Sequence, residues 1–555
     1  MNSPSKLIPK RLLRHHQNSS KDIVQLVDLP DELILNIMNK VKPYVLLLCS
    51  FIGIDNNRFE QLALDKCQAI DLTLDYIQSP YESHFERFYL YVLPRIIDKI
   101  QSLTLYIEHV PKIISFVEKN CGGILPNLTH LRIMLCMRKP KTGTPFTLGN
   151  GIYSIYRDCP LHSIVPQFCQ LNPTISSQIL SSFDSSPFMG SIVSIEVDDG
   201  CMLSNIFYDH ELFFPQTNQL THIQITLCYF NDCICLLTQL GTQLCSFSVS
   251  IIYFSSFGKC LIYKIPSILC PNIKHLTMRI YRNFDPYKEC LVPLLQRFSN
   301  VEYLTLLLAI DKTKSIPNPF IDGYDLHNDI ISYMPHLSQF HFHIRSVLEN
   351  APHIEIDTIR QSFMKQHNQF IDCTIDYFNN NYGQCQIYSL PFIGTRLDFI
   401  SNRFPLFDIN NTFTMVTVLL LFDDIKPFES VFFECLAQAL PYLKTLEVIN
   451  ELEQQENITV STNNLKFTHL TTLILFDIHI NYAEQLLSRI YLPCLNELAI
   501  NKDILLAIIA QDQHQTKDNC SRVERLRTSK PLSDSLNAIR NYFPSNSYVQ
   551  HPKEE

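Results

Sequence analysis

Pro271-Asn272-Ile273-Lys274-His275-Leu276-Thr277-Met278 carries a short pattern: apolar, two residues, apolar, one residue, apolar. The last two apolar positions are two apart. In an extended chain they share one face, and the residues flanking the central one share the other. The pattern recurs as Leu128-x-x-Leu131-x-Ile133, Leu220-x-x-Ile223-x-Ile225, Leu244-x-x-Phe247-x-Val249, Val301-x-x-Leu304-x-Leu306 and Leu337-x-x-Phe340-x-Phe342. Later copies are Leu443-x-x-Leu446-x-Val448, Leu470-x-x-Leu473-x-Leu475 and Leu495-x-x-Leu498-x-Ile500. Weaker copies start at Ile100, Ile192, Phe413 and Val523.

The spacing is the stronger signal. Starts at 192, 220, 244, 273 and 301 lie 28, 24, 29 and 28 apart, and starts at 413, 443, 470, 495 and 523 lie 30, 27, 25 and 28 apart. Two intervals are irregular. One has room for a degenerate copy near Leu161-x-x-Ile164, and the other contains Ile371 to Tyr377, which alternates like a strand. Pro126, Pro271, Pro335, Pro441 and Pro493 stand just before copies and mark the junctions where a helix must end. Between copies lie helical periods: Leu291, Leu294, Leu295, Phe298; Phe432, Leu436, Ala439, Leu440; Ala483, Leu486, Leu487, Ile490. The unit is one strand plus one helix. An ordinary α/β domain with repetitive strands is the alternative.

That unit, over roughly residues 95–545, resembles the leucine-rich repeat, whose strand and turn read L-x-x-L-x-L-x-x-N/C-x-L. Cys136 and Cys228 fill the turn position in two copies; the others lack Asn or Cys there, so their turns must close differently. The resemblance implies an α/β solenoid of parallel strands with Leu131, Ile223, Phe247, Leu276, Leu304, Leu446, Leu473 and Leu498 in equivalent places along one core. Val523-x-x-Leu526 would be the last strand, followed by a helix with Leu536, Ile539 and Phe543 over the open end. The residues flanking each central position would line an open sheet face. There His130, Arg132, His222, Gln224, His275, Tyr303 and His341 become candidate substrate-binding residues for a protein partner, although any one of them is equally a solvated side chain.

A second signal precedes the repeats. In Leu29-Pro30-Asp31-Glu32-Leu33-Ile34-Leu35-Asn36-Ile37-Met38, Asp28 is placed to cap a helix whose first turn holds Pro30, Asp31 and Glu32, and Leu33, Ile34 and Ile37 make an apolar stripe. Shorter helices are expected over 44–50 and 56–64. The run looks like the start of an F-box, L-P-x-E-[LI]-[LI]-x-x-I, with Val41 in place of a usual Leu and Phe59 where the family often has Trp. The resemblance covers about residues 25–65. It implies a trihelical module that docks onto the Skp-type adaptor of an SCF cullin ubiquitin ligase through Leu29, Pro30, Leu33, Ile34 and Ile37. The alternative is a helical cap on the open end of the repeat array.

These readings divide the chain into a disordered basic arm (1–22), an F-box-like module (23–66), a leucine-rich-repeat-like solenoid (67–545) and a disordered tail (546–555). Composition agrees with an interaction protein. With 46% hydrophobic and 18% charged residues, a large core is accessible to the 555-residue chain. A net charge of −9, with no basic domain, disfavours a nucleic-acid partner. The longest near-continuous apolar run, Tyr44 to Ile54, is about half the ~20 residues a membrane span needs. Nineteen scattered cysteines without a secretory signal argue against a disulfide framework. A cytoplasmic chain is expected, with nuclear entry left open by the basic arm.

No glycine-rich phosphate loop, nucleophile elbow or zinc-protease pattern occurs, so no catalytic residue, cofactor or metal is expected. Gly122-Gly123 reads as a helix C-cap. Asp423 and Asp424 are adjacent, so their side chains diverge. His341 and His343 share a strand face but read as solvated histidines. The expected function is substrate recruitment to a ubiquitin ligase; the alternative is a repeat scaffold with no ligase link.

Overall fold

The computed structural model describes residues 26–40, 44–53, 56–64, 69–72, 87–106, 110–134, 191–197, 202–203, 207–208, 211–212, 219–253, 261–284, 287–311, 320–363, 370–379, 381–405, 412–455, 465–529, 539–544 and 548–550. The basic arm, the degenerate copy near Leu161, Cys136, Leu536 and residues 551–555 lie outside them. The chain divides into two compact units, Met1–Ile100 and Gln101–Glu555.

Among the described residues the first unit holds α1 (Asp31–Lys40), α2 (Tyr44–Phe51) and α3 (Asn57–Leu64), followed by the helical segments Phe88–Val92 and Leu93–Ile96. The Leu33 and Ile34 amides both donate to the Pro30 carbonyl, at 3.0 and 3.1 Å. The helix therefore begins one residue later than expected, and Asp28 sits in a separate 3-10 turn, Leu26–Asp28. Proline has no N–H to satisfy, so the helix boundary falls on it without loss of a bond. At α3, Asn56 Oδ1 accepts from the Phe59 amide at 3.2 Å and caps the helix. Ile34, Met38, Leu47, Leu48, Ile52, Phe59 and Leu62 are buried, and the Phe51 and Phe59 rings pack 5.3 Å apart. Phe59 is thus a core aromatic of these helices.

The second unit is α/β. Its first sheet runs β1 (Ser102–Tyr106), β2 (His130–Met134), β3 (Ser194–Val197), β4 (His222–Tyr229), β5 (Ser246–Tyr253), β6 (His275–Phe284), β7 (Tyr303–Asp311) and β8 (Gln339–Glu349), all parallel in that order. The repeat sets the register. Leu103, Leu131, Ile195, Ile223, Phe247, Leu276, Leu304 and Phe340 are successive partners across the sheet, and all are buried. A slip of one residue on any strand would turn its apolar set outward.

The same unit recurs in the connections. Helix α4 (Val110–Cys121) ends at Gly122 and Gly123, both with positive φ, and the Gly123 amide donates back to the Val117 carbonyl at 3.1 Å. This is the expected glycine C-cap. Helix α5 (Phe230–Leu240) links β4 to β5, and Leu291, Leu294, Leu295 and Phe298 are wholly buried between β6 and β7. The strand starts are closed by backbone. The Thr221 and His222 amides both donate to the Val193 carbonyl, Cys245 and Ser246 to Thr221, Lys274 and His275 to Cys245, and Glu302 and Tyr303 to Lys274. Each carbonyl uses both lone pairs, so the strand starts are satisfied by backbone alone.

One expectation fails. Leu446, Leu473 and Leu498 are not in the sheet that holds Leu131 and Leu304. After β8 the chain forms a hairpin, β9 (Ile371–Tyr377) and β10 (Tyr382–Ser389), and β10 pairs antiparallel with β8. That hairpin takes the outer edge of β8, so the next parallel strand starts a new sheet. The new sheet is parallel and seven-stranded: β11 (Arg396–Ile400), β12 (Val418–Phe422), β13 (Thr445–Ile449), β14 (Thr472–Leu475), β15 (Glu497–Ile500), β16 (Arg525–Thr528) and β17 (Tyr548–Gln550). Leu397, Leu419, Leu446, Leu473, Leu498 and Leu526 are its successive partners.

Leu419 rather than Val416 is the central residue of β12, so the copy placed at Phe413 belongs three residues later. Val523-x-x-Leu526 is not the last strand either. β17 extends the open edge of β16, where a disordered tail was expected. Ile539 and Phe543 are buried against the core of this second sheet, as expected. Among the described residues no helix is long and apolar enough to cross a membrane.

Candidate functional site

Each unit carries one of the surfaces singled out in the sequence. On the first, α1 splits its apolar residues between two faces. Ile34 and Met38 are 0% and 2% exposed, whereas Leu33 and Ile37 are 49% and 43% exposed. Leu26 and Val27 of the preceding turn are also exposed, as is Pro30, while Leu29 is half-buried. The outward stripe of α1 is therefore Pro30, Leu33 and Ile37, with Leu26 and Val27 exposed in the turn before it. Ile34, expected on the docking face, belongs to the core instead. A helix advances 100° per residue, so positions 33 and 37 share a face that position 34 has already left.

Arg58 fixes this stripe. Its guanidinium donates from Nε to Asp31 Oδ1 at 2.7 Å, from Nη1 to the Val27 carbonyl at 2.7 Å and from Nη2 to the Leu29 carbonyl at 2.6 Å. One planar fork on α3 thus holds both the entering turn and the first turn of α1.

On the second unit the first sheet presents two polar rows. His130, Ser194, His222, Ser246, His275, Tyr303 and Gln339 are successive partners at one level. Arg132, Glu196, Gln224, Ser248, Thr277, Thr305 and His341 form the next level on the same face. All seven residues singled out for substrate binding thus fall in two adjacent rows. His130, Arg132, His222, His275 and Tyr303 are exposed, and Gln224 and His341 are half-buried.

The histidines are oriented by their neighbours. The Thr129 hydroxyl lies 2.7 Å from His130 Nδ1, and the Thr221 hydroxyl 2.7 Å from His222 Nδ1. The His275 and Tyr303 rings stack with centroids 4.6 Å apart and planes 3° apart. Burial, then the neighbouring His130 and His275, holds the His222 imidazole below the ordinary histidine pKa. Arg132 Nε pairs with Glu196 at 3.1 Å.

Sequence reasoning missed Arg279, four residues beyond His275 on the same strand face. Its Nη1 donates to the Ser248 hydroxyl at 3.1 Å. The signal was available: the strand period of two, carried past the end of the apolar triplet, reaches position 279.

A third polar cluster is buried where β8, β10 and β11 meet. His343 is 8% exposed, not solvated as expected, and its Nε2 lies 2.9 Å from Gln386 Oε1. Gln384 donates to the Phe399 carbonyl at 3.0 Å, and the Arg345 guanidinium lies 4.4 Å from the centre of the Phe399 ring. Asp376 accepts from Ser401 Oγ at 2.8 Å and pairs with Arg403 at 3.2 Å. Asp423 and Asp424 diverge as adjacent side chains must. Asp423 accepts from the Asn402, Ile425 and Lys426 amides, and Asp424 from the Asn379 amide. Among the described residues no three His, Cys, Asp or Glu side chains gather as a metal-holding group.

No protein-family model matches the chain, and no curated protein matches it.

Proposed function

We propose that this chain is a non-catalytic recruiting adaptor. Its N-terminal helices act as an F-box-like trihelical module that docks onto the Skp-type adaptor of an SCF cullin ubiquitin ligase. Its repeats act as a leucine-rich-repeat-like solenoid whose open sheet face receives a protein substrate. The observation that carries the reading is the split face of α1. Leu33 and Ile37 stay about half-exposed on one helix face, as do Leu26 and Val27 in the turn before it, while Ile34 and Met38 make the core. Leaving four large apolar side chains in water within so short a segment is costly unless a partner covers them. The cytoplasm, where this ligase machinery works, is the compartment the proposal places it in.

A scaffold without a ligase link is the second reading, favoured by the polar rows of the first sheet, which need no N-terminal module to function. Copurification of the full chain with a coexpressed Skp-type adaptor and cullin decides between them. The proposal expects both to be retained by the native chain and lost from the Leu33→Ala, Ile37→Ala double variant. Failure of the native chain to retain the adaptor, in a preparation that is folded, refutes the ligase reading and leaves the scaffold.

A further inference from the structure

We infer that the open face of β4–β7 binds an acidic peptide segment of a protein partner, with Arg279, His275 and His222 receiving its carboxylates. This rests on the reading of the open sheet face as a docking surface, and it names the chemistry that face selects.

The argument is charge complementarity. Across β4–β7 the first open row reads His222, Ser246, His275, Tyr303, and the second Gln224, Ser248, Thr277, Thr305. The level beyond them, Thr226, Ser250, Arg279 and Leu307, is buried except for Arg279, which is half-buried at the edge of the open face. No carboxylate occurs among these twelve positions, although the whole chain carries 54 acidic against 45 basic residues. The face offers hydroxyl, imidazole and guanidinium groups in an otherwise acidic protein. Among the described residues the Arg279 guanidinium contacts only the Ser248 hydroxyl, so its charge is not met by an acid.

The nearby charges do not cancel it. Glu302, just before β7, is engaged by Lys274 at 2.8 Å, and Glu196 on β3 by Arg132. The groups facing His222 and His275 are then His130, Glu302, Lys274 and the Tyr303 ring. The surface carries the fixed Arg279 cation, and the His222 imidazole, held below its ordinary pKa, adds a charge only on acidification. A bound carboxylate would favour the charged imidazole, so binding and protonation reinforce each other. Parallel strands lie roughly 4.8 Å apart, so His222 and His275, two strands apart, span roughly 10 Å. That matches an extended peptide lying across the strands, and exceeds the reach of a single carboxylate.

The test uses the full chain and a fluorescein-labelled twelve-residue Glu/Ser peptide, followed by anisotropy at pH 5.5 and pH 8 in low salt. Binding is expected at both, several-fold tighter at pH 5.5, and weakened by added salt. Arg279→Gln should weaken it about tenfold, the loss of one charge-assisted hydrogen bond. His222→Gln should remove the gain at pH 5.5. Arg279 is partly exposed, and unchanged thermal unfolding of its variant certifies the fold. Leu33→Ala with Ile37→Ala should leave peptide affinity unchanged, so loss of the adaptor and loss of the peptide are read separately. The inference is overturned if a Lys/Ser peptide binds as well, if single-stranded DNA of equal length binds more tightly, or if Arg279→Gln changes nothing.

Discussion

The Arg58 guanidinium bridges to the Asp31 carboxylate at 2.7 Å, yet the two side chains are 43% and 53% exposed. A pair this open contributes little by itself. The stronger part of the arrangement is the two bonds from the same guanidinium to the Val27 and Leu29 carbonyls. Asp31→Asn is therefore expected to change stability by less than ~0.5 kcal/mol. Arg58→Ala should loosen the turn before α1 by about 1 kcal/mol. Arg58→Lys should not restore it, because a point ammonium cannot serve three acceptors in one plane. Hydrogen exchange of the Leu29 and Leu33 amides reads the difference.

The two faces of α1 give opposite expectations for substitutions one residue apart. Leu33→Ala should leave unfolding within about 0.5 kcal/mol of the native chain, because the side chain is already half in water. Ile34→Ala should cost about 2–5 kcal/mol, as for a truncation in a packed core. Denaturant melts of the first unit's helical signal compare them. Equal losses would mean that the exposed stripe is part of the fold and not a surface held for a partner.

Much of this was legible in the sequence, and the failures have physical causes. The central residues of the repeat stand in register as read, because strand period and burial leave one choice per strand. The break after β8 was not legible. Ile371 to Tyr377 reads as a strand, but its direction depends on the hairpin it forms with β10, which no local pattern encodes. The copy at Phe413 was misplaced because Phe413, Val416 and Val418 match the triplet as well as Val416, Leu419 and Leu421 do. Only the pairing of Leu419 with Leu446 separates them. The turn chemistry of the second sheet falls at the eighth position of the repeat, where Asp423 and Asn450 sit, and not at the ninth. There Asp423 accepts three amides, and Asn450 Nδ2 donates to the Lys426 carbonyl at 2.8 Å. The assignment of Ile34 to a docking face failed because a sequence stripe does not say which edge of it the rest of the unit will cover.

Asp232, at the start of α5, is 7% exposed, and burial pushes its carboxyl up to about 7 despite a 3.3 Å bond from the Tyr229 amide. In the unfolded chain the carboxyl ionises near ~3.9, so between about pH 4 and pH 7 the folded state holds the extra proton. Stability from this group therefore falls as pH rises through that window, by on the order of 4 kcal/mol in total, and is flat above it. Asp232→Asn, which keeps an acceptor for Tyr229, should be harder to unfold than the native chain at pH 8 and no harder at pH 4. Urea midpoints at the two pH values test it. A variant weaker at pH 8 would show that the ionised carboxylate is favoured in place.

His343 works in the opposite direction. Burial is the main cause holding its imidazole down to about 4, outweighing the hydrogen bond to Gln386 and the nearby Asp398, with Arg345 adding to the depression. Above roughly pH 6.5 neither folded nor unfolded chain binds this proton. As pH falls from there to 4 the unfolded chain takes it and the folded chain resists, so stability is lost on acidification, on the order of 3 kcal/mol across the window. The slopes from Asp232 and His343 overlap between pH 4 and 6.5 and largely cancel there. The two contributions thus offset each other in the native chain, and single variants unmask them. His343→Gln retains a partner for Gln386 and removes the acid-sensitive half, so its urea midpoint should rise as pH falls from 6.5 to 4.5. Asp232→Asn should show the reverse trend over the same range, its midpoint falling with pH. If both variants follow the native curve, these two buried groups do not set the acid response, and Asp376, whose carboxyl burial also pushes up, becomes the place to look.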